Sequence, residues 1–151
     1  GQVLSVYNTT YLTSRFLIAL KNLEQAVSGE SANAALLKHK ARKSAKEAIK
    51  LAGQISDNRI ENYWRMGTFY WLTGKRHKAF KWWIKCIKEG EKLHAMPELA
   101  RCYREVGIRL LHDRQKNVSL IGLTPAEYLD KAKEIFKQYE LQWDLDGTDK
   151  L

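Results

Sequence analysis

Few of the chemically reactive side chains stand at spacings that would allow catalysis. Metal-ligand spacing is absent among the four histidines, which are His39, His77, His94 and His112. The Gly74-Lys75 pair lacks the upstream glycine and the following hydroxyl residue of a phosphate-binding loop. Neighbouring carboxylates such as Glu134 and Glu140 are typical of a solvated helix surface. The sequence therefore predicts a non-enzyme, with no catalytic residue, no metal ion and no cofactor.

The cysteines and the hydropathy indicate an intracellular chain. Cys86 and Cys102 fall on predicted apolar helix faces, with no His or Cys at ligand spacing. We expect buried free thiols in a reducing compartment rather than a disulfide or a metal site. No stretch is long and apolar enough to cross a bilayer, and no basic-then-apolar signal opens the sequence. These features predict a cytoplasmic location without membrane insertion.

Residue types that are common in binding sites stand at more informative spacings than the catalytic types do. Trp64 and Trp71 are seven residues apart and so share one face of a helix, while Arg101 and Arg104 are neighbours on another helix. Tryptophan and arginine dominate binding hot spots, and arginine can hold an anion through two parallel hydrogen bonds. We therefore expect a ligand with an apolar anchor and a carboxylate or phosphate. The candidate partner-binding groove comprises Trp64, Thr68, Trp71, Arg101, Arg104 and Ile108.

An alternative interpretation of the same residues is structural. The two tryptophans would then pack against a neighbouring pair of helices. The arginines would form surface ion pairs with Glu98 or Glu105. Both interpretations place the residues one step away from the buried stripe of their helices.

The elements that carry these residues are predicted to be helices. Apolar residues recur at helical spacing along the chain, and only two prolines and nine glycines interrupt it. The pattern predicts a single all-α domain over residues 1–151, built from helix pairs at 10–55, 57–93 and 97–140 with a C-terminal tail at 141–151. The first helices of the pairs would line the concave face.

The second pair carries a recognisable motif. An aromatic residue, an apolar residue with glycine, and a tyrosine are followed by alanine and a second aromatic; these are Tyr63, Met66, Gly67, Tyr70, Ala79 and Trp83. This pattern resembles the tetratricopeptide repeat. The resemblance implies antiparallel hairpins stacked as a short right-handed α-solenoid that holds a peptide or a partner helix. An unrelated helical bundle is the alternative.

Small residues recur at a nearly constant period. Gly107 follows Gly67 by 40 residues, and Ala79 follows Ala41 by 38 residues. Glycine and alanine let helix backbones approach closely, so this period favours a repeated hairpin. The last pair contains a longer connection over residues 112–123, which is expected to protrude.

Individual elements carry their own signals. The first helix is predicted over residues 10–27, with Val27 in its buried stripe, and Asp57 is expected to cap the third. Residues 124–127 read Thr-Pro-Ala-Glu, a capping box that starts the last helix. Tyr139 is expected to be buried on that helix. Trp143 is expected to fold back onto it as a cap.

A narrower resemblance covers about the last 90 residues. The strings PELARCYREVGIRLL and TPAEYLDKAKEIFKQYELQWDLD resemble the C-terminal repeat region of large bacterial signalling proteins. In those proteins a cyclase or kinase domain and an AAA-type ATPase precede the helical repeats. The resemblance implies a regulatory segment that acts in signal transduction.

The net charge of the chain indicates which classes of partner it would bind. The formal net charge is +9 and the pI is about 9.6, which favours acidic protein partners or nucleic acid. Two predicted helices carry the excess as runs of lysine and arginine at 38–50 and 75–92. Such runs form either a solvated face or an anion-binding patch. The leading hypothesis is a protein-binding scaffold, and the alternative is nucleic-acid binding with Trp82 as a base-stacking residue.

Overall fold

The computed structural model describes residues 2–52, 58–115 and 118–151. Within these ranges the regular structure is entirely α-helical, as predicted. The helices are α1 (Gln2–Ser28), α2 (Ala34–Ala52), α3 (Arg59–Leu72), α4 (Arg76–Leu93), α5 (Met96–Leu111), α6 (Pro125–Gln138) and α7 (Gln142–Asp149). None of the helices in the described ranges has both the length and the sustained apolar character needed to cross a bilayer.

The packing divides the chain into two compact units, Gly1–Trp82 and Trp83–Leu151. The boundary falls inside α4. We call these unit 1 and unit 2.

The core of unit 1 is formed by α1, α2 and α3. Large side chains from α1 and α3 pack against a row of alanines on α2, which lets the helices approach closely; the cluster comprises Phe16, Leu20, Leu23, Ala41, Ala45, Ala48, Met66 and Phe69. A polar contact joins α3 to α1, where the Asn62 amide donates to the Thr13 hydroxyl at 3.1 Å. These contacts bury the apolar stripes that the helical spacing predicted.

Unit 2 contains two close approaches between helices. A Cβ added at Gly107 would lie 2.8 Å from the Leu129 side chain and 3.1 Å from the Pro125 carbonyl oxygen, so α6 passes tightly over α5. A Cβ at Gly90 would lie 3.0 Å from the Leu99 side chain, which marks a second approach between α4 and α5. The predicted role of Gly107 is confirmed, whereas Gly90 was not anticipated.

Small residues on the second helices of the predicted pairs are fully buried. Ala41, Ala79 and Ala132 each have no exposed surface, and Trp83 and Phe136, four residues after the latter two, are equally buried. The predicted burial of both cysteines is also confirmed. The second helix of each predicted pair therefore contains a fully buried alanine.

The start of α6 follows its sequence signal. The Thr124 hydroxyl accepts from the Glu127 backbone N–H at 3.3 Å, and the Glu127 carboxylate accepts from the Thr124 backbone N–H at 2.6 Å. The connection before it is better anchored than predicted. Leu120 is buried, and its carbonyl accepts a hydrogen bond from the Tyr128 hydroxyl.

Several element predictions are corrected by the structure. The first helix begins at Gln2 rather than near residue 10, and Val27 at its end is largely exposed. Tyr139 ends α6 as its C-cap and is 45% exposed, because the chain turns there through Glu140 with φ 55°. Asp57 and the predicted end of the second helix at residue 55 lie outside the described residues.

The C-terminal tail is also different from the prediction. Residues predicted as a tail form the helix α7, which buries Asp144, Leu145 and Thr148. Trp143 does not fold back as a cap, since 84% of it is exposed. Successive helical residues point about 100° apart, so burying the 144–145–148 face leaves Trp143 pointing to solvent.

Candidate functional site

The three candidate residues on α3 lie in unit 1. The Trp71 ring stacks on Phe80 with centroids 6.2 Å apart, and the Arg76 guanidinium lies 5.1 Å from the Trp71 centroid. Thr68 is 2% exposed, and its hydroxyl donates to the Trp64 carbonyl at 3.2 Å. Trp64 and Trp71 are both half-buried, whereas the Thr68 side chain lies inside unit 1.

The three candidate residues on α5 lie in unit 2, and two of them converge on one carboxylate. Arg101 donates to Asp144 through Nε at 3.1 Å and Nη2 at 3.2 Å, and Arg104 Nη1 lies 3.5 Å from the same carboxylate. Asp144 is 6% exposed. Ile108 is half-buried on the same helix. The arginine pair thus holds a carboxylate with the two-pronged geometry that the sequence predicted for a ligand.

Both expected ion-pair partners of these arginines lie on α5 as well. Glu98 lies 3.8 Å from Arg101, a longer distance than the contact to Asp144. Glu105 pairs with Arg109 at 2.7 Å. Asp144 was missed because it is 43 residues from Arg101, and no local spacing links the two.

A groove between α1 and α2 in unit 1 was not predicted. It encloses about 450 Å³ and is lined by Arg15, Ile18, Ala19, Asn22, Leu37, Lys40, Lys43 and Ser44. Ala19 and Leu37 form a partly buried apolar floor. Ile18 is 59% exposed at the edge. We call this the α1/α2 groove.

The rim of the α1/α2 groove is cationic. Lys40 and Lys43 are exposed on the α2 side. Arg15 stands on the α1 side and reaches Glu47 at 3.5 Å. An exposed pair of this kind contributes little to stability. The lysines that form a run in the α2 sequence thus lie beside the apolar floor of the α1/α2 groove.

Positive charge also accumulates near the turn between α3 and α4. The pKa of Lys75 is lowered, first by the charge of Lys78, then by desolvation and by the charges of Arg42 and Lys38. Mutual repulsion of this kind means that the cations of α2 and early α4 share one region of unit 1. Such a region attracts anionic groups.

Unit 2 contains a cleft of about 450 Å³. Its floor includes Tyr103, whose hydroxyl donates to Glu91 Oε1 at 3.1 Å, and Lys131 Nζ lies 5.8 Å from the Tyr103 ring centroid. Burial, followed by the Glu91 charge, raises the pKa of Tyr103 well above its usual value. Residues from three helices form this cleft, so sequence spacing carries no signal for it.

The remaining chemically active groups are inside the fold. Burial raises the pKa of the Cys102 thiol, and a hydrogen bond with Cys86 adds to the effect. A thiol held in this way is a poor nucleophile. In the described part of the chain, no cluster of three or more His, Cys, Asp or Glu side chains is arranged to hold a metal ion.

Trp82 is not presented to solvent as a base-stacking platform. Its ring is half-buried against the core cluster of unit 1, and its centroid lies 5.6 Å from that of Tyr63. The nucleic-acid hypothesis then depends on charge alone.

Comparisons of the chain with protein-family models, with curated proteins and with solved structures give no match.

Proposed function

We propose that the chain is a protein-interaction scaffold. It is a short right-handed α-solenoid of tetratricopeptide type, and it serves as the cytoplasmic regulatory segment of a bacterial multidomain signalling protein. It works by holding a partner and not by catalysing a reaction. Ala41 and Ala79, which are 38 residues apart and both fully buried, support the repeat assignment.

The observation that carries the proposed function is the α1/α2 groove. Its floor is apolar, its rim is lined by Arg15, Lys40 and Lys43, and its volume is about 450 Å³. A groove of this composition suits an amphipathic helix, whose leucines fill the floor while its carboxylates meet the rim. With a net charge of +9, the chain as a whole attracts such a partner over a longer range.

The predicted partner-binding residues are proposed to contribute within their own units, those on α3 in unit 1 and those on α5 in unit 2. Trp64 and Trp71 supply partly exposed aromatic surface, and Arg101 and Arg104 supply paired donors. Arg101 already donates to the buried Asp144 carboxylate at 3.1 and 3.2 Å, which supports its suitability for an acidic ligand.

The test uses a synthetic amphipathic helix with leucines at i, i+3, i+4 and i+7 and glutamates on its flanks. Its affinity for the full chain is measured by calorimetry, with Lys40→Glu/Lys43→Glu as the test variant. The matched control is Lys50→Glu/Lys81→Glu, which makes the same charge change at exposed positions outside the groove lining.

We expect the groove variant to bind about tenfold or more weakly, because two attractions become repulsions. The control should lose much less, and its loss should vanish as salt screens long-range attraction. Equal losses in the two variants, or no binding to the wild type, would contradict a site in the α1/α2 groove.

Nucleic-acid binding is the second candidate, and the net charge of +9 is the observation that favours it. Phosphate contacts make such binding steeply dependent on salt. Affinity for a single-stranded oligonucleotide that persists at physiological salt would support this candidate. Negligible affinity under that condition removes it.

A further inference from the structure

The C-terminal helix α7 is attached to unit 2 through one narrow face. Asp144 receives Arg101 at 3.1 and 3.2 Å and Arg104 at 3.5 Å. Leu145 and Thr148 complete the buried face. Asp149 pairs with Lys133 of α6 at 3.1 Å. Helix α7 is thus an acidic segment seated on cations of α5 and α6.

The receiving surface is organised around the two arginines. The Arg104 guanidinium lies 5.6 Å from the Phe136 ring centroid, which restricts its orientation. Arg101 is also within 3.8 Å of Glu98, so a neighbouring carboxylate helps to align it. The surface therefore presents aligned donors to a carboxylate.

Helix α7 has little intrinsic tendency to be helical on its own. It has eight residues, far fewer than an isolated helix needs, and Gly147 lies within it. Its N-cap, Leu141, makes no side-chain capping bond, and Leu145 is its one large buried apolar side chain. Its helical state therefore depends on docking.

We propose that the surface under α7 is an exchangeable docking site for an acidic helix of a partner protein. The occupant resembles α7, with an aspartate, a leucine directly after it and a threonine four positions after the aspartate. In the free chain α7 occupies the site as an internal competitor. This site lies in unit 2 and is independent of the α1/α2 groove.

The charges and the buried face of α7 specify this occupant. The aspartate pairs with Arg101 and Arg104, and the leucine directly after it is buried. The threonine is buried, and its hydroxyl donates to the aspartate carbonyl at 2.8 Å, so the hydroxyl has a partner inside the contact. The large aromatic is dispensable, since Trp143 is 84% exposed.

The experiment measures anisotropy of a labelled peptide, LQWDLDGTDKL (residues 141–151), added to the full chain. Two variants release α7 in different ways: Asp144→Ala removes the carboxylate, and Leu145→Ser removes the apolar contact. Asp146→Asn is the matched control, because Asp146 is exposed and bonds only locally, to Gln142 at 2.6 Å.

We expect both release variants to bind the peptide about tenfold or more tightly than the wild type. A tethered segment competes at an effective concentration in the millimolar range, and release removes that competition. Asp146→Asn should behave like the wild type. Adding Arg101→Glu to Asp144→Ala should abolish binding, as should Asp144→Asn in the peptide.

Three results would overturn the proposal. In the first, neither release variant gains affinity over Asp146→Asn. In the second, Arg101→Glu leaves peptide binding intact. In the third, sedimentation shows that the wild type is a dimer. The site would then be assigned to α7 of a second copy of this chain, exchanged between the two copies. None of these results affects the α1/α2 groove, whose variants lie in unit 1.

Discussion

Replacing Gly107 by alanine tests whether close contact between helices holds unit 2 together. The added Cβ would lie 2.8 and 2.9 Å from two Leu129 carbons and 3.1 Å from the Pro125 carbonyl oxygen. Leu129 can move, but the carbonyl belongs to the first turn of α6, so the helix itself must shift. Overpacking of this kind costs about 2–3 kcal/mol. Alanine recovers about 1 kcal/mol of helix propensity.

The net expectation for Gly107→Ala is a loss of about 1–2 kcal/mol in the free energy of unfolding. For a chain of this size the melting temperature should fall by roughly 3–6 °C. Urea and thermal unfolding followed by circular dichroism measure both quantities. Gly147→Ala is the matched control, because an added Cβ there meets nothing within 4 Å. It should raise stability by about 0.5–1 kcal/mol. The reasoning is refuted if Gly107→Ala is as stable as the wild type.

Three further predictions concern the start of α6 and the connection before it. Thr124→Ala should cost about 1 kcal/mol in urea unfolding, because it removes the capping bond to Glu127. The hydrogen bonds from Thr124 lower the pKa of Glu127 below its usual 4.5. The contribution of Glu127 to the free energy of unfolding is therefore present above that pH and lost as the pH falls. The stability difference between wild type and Glu127→Ala should shrink in acid. Burial raises the pKa of Tyr128 to about 12. Its contribution to the free energy of unfolding is therefore complete below pH 10 and is lost as the pH rises towards 12. Tyrosinate absorbance should show this late step in the wild type, and its amplitude should fall by one tyrosine in Tyr128→Phe. An unchanged titration would contradict the burial of the Tyr128 hydroxyl.

Features set by neighbouring residues could be predicted from the sequence. The box formed by Thr124 and Glu127 spans four positions. The buried alanines follow from the helical period. Each of these signals is local, so no knowledge of the tertiary contacts was needed.

Features set by distant residues could not be predicted. Asp144 meets Arg101 across 43 positions and lies on the buried face of α7 with Leu145 and Thr148. Trp143 was expected to fold back onto the last helix as a cap, but the burial of Asp144, Leu145 and Thr148 leaves it pointing to solvent. In the same way, the α2 lysines were visible as a run, whereas the groove beside them needs α1 to form its other wall.

The most direct test of the proposed scaffold is a nuclear magnetic resonance titration of the isotope-labelled full chain with the leucine–glutamate helix. We predict saturable chemical-shift changes centred on Ile18, Lys40 and Ser44, which line the α1/α2 groove. A spectrum that does not change, or changes confined to residues away from this groove, would contradict the account.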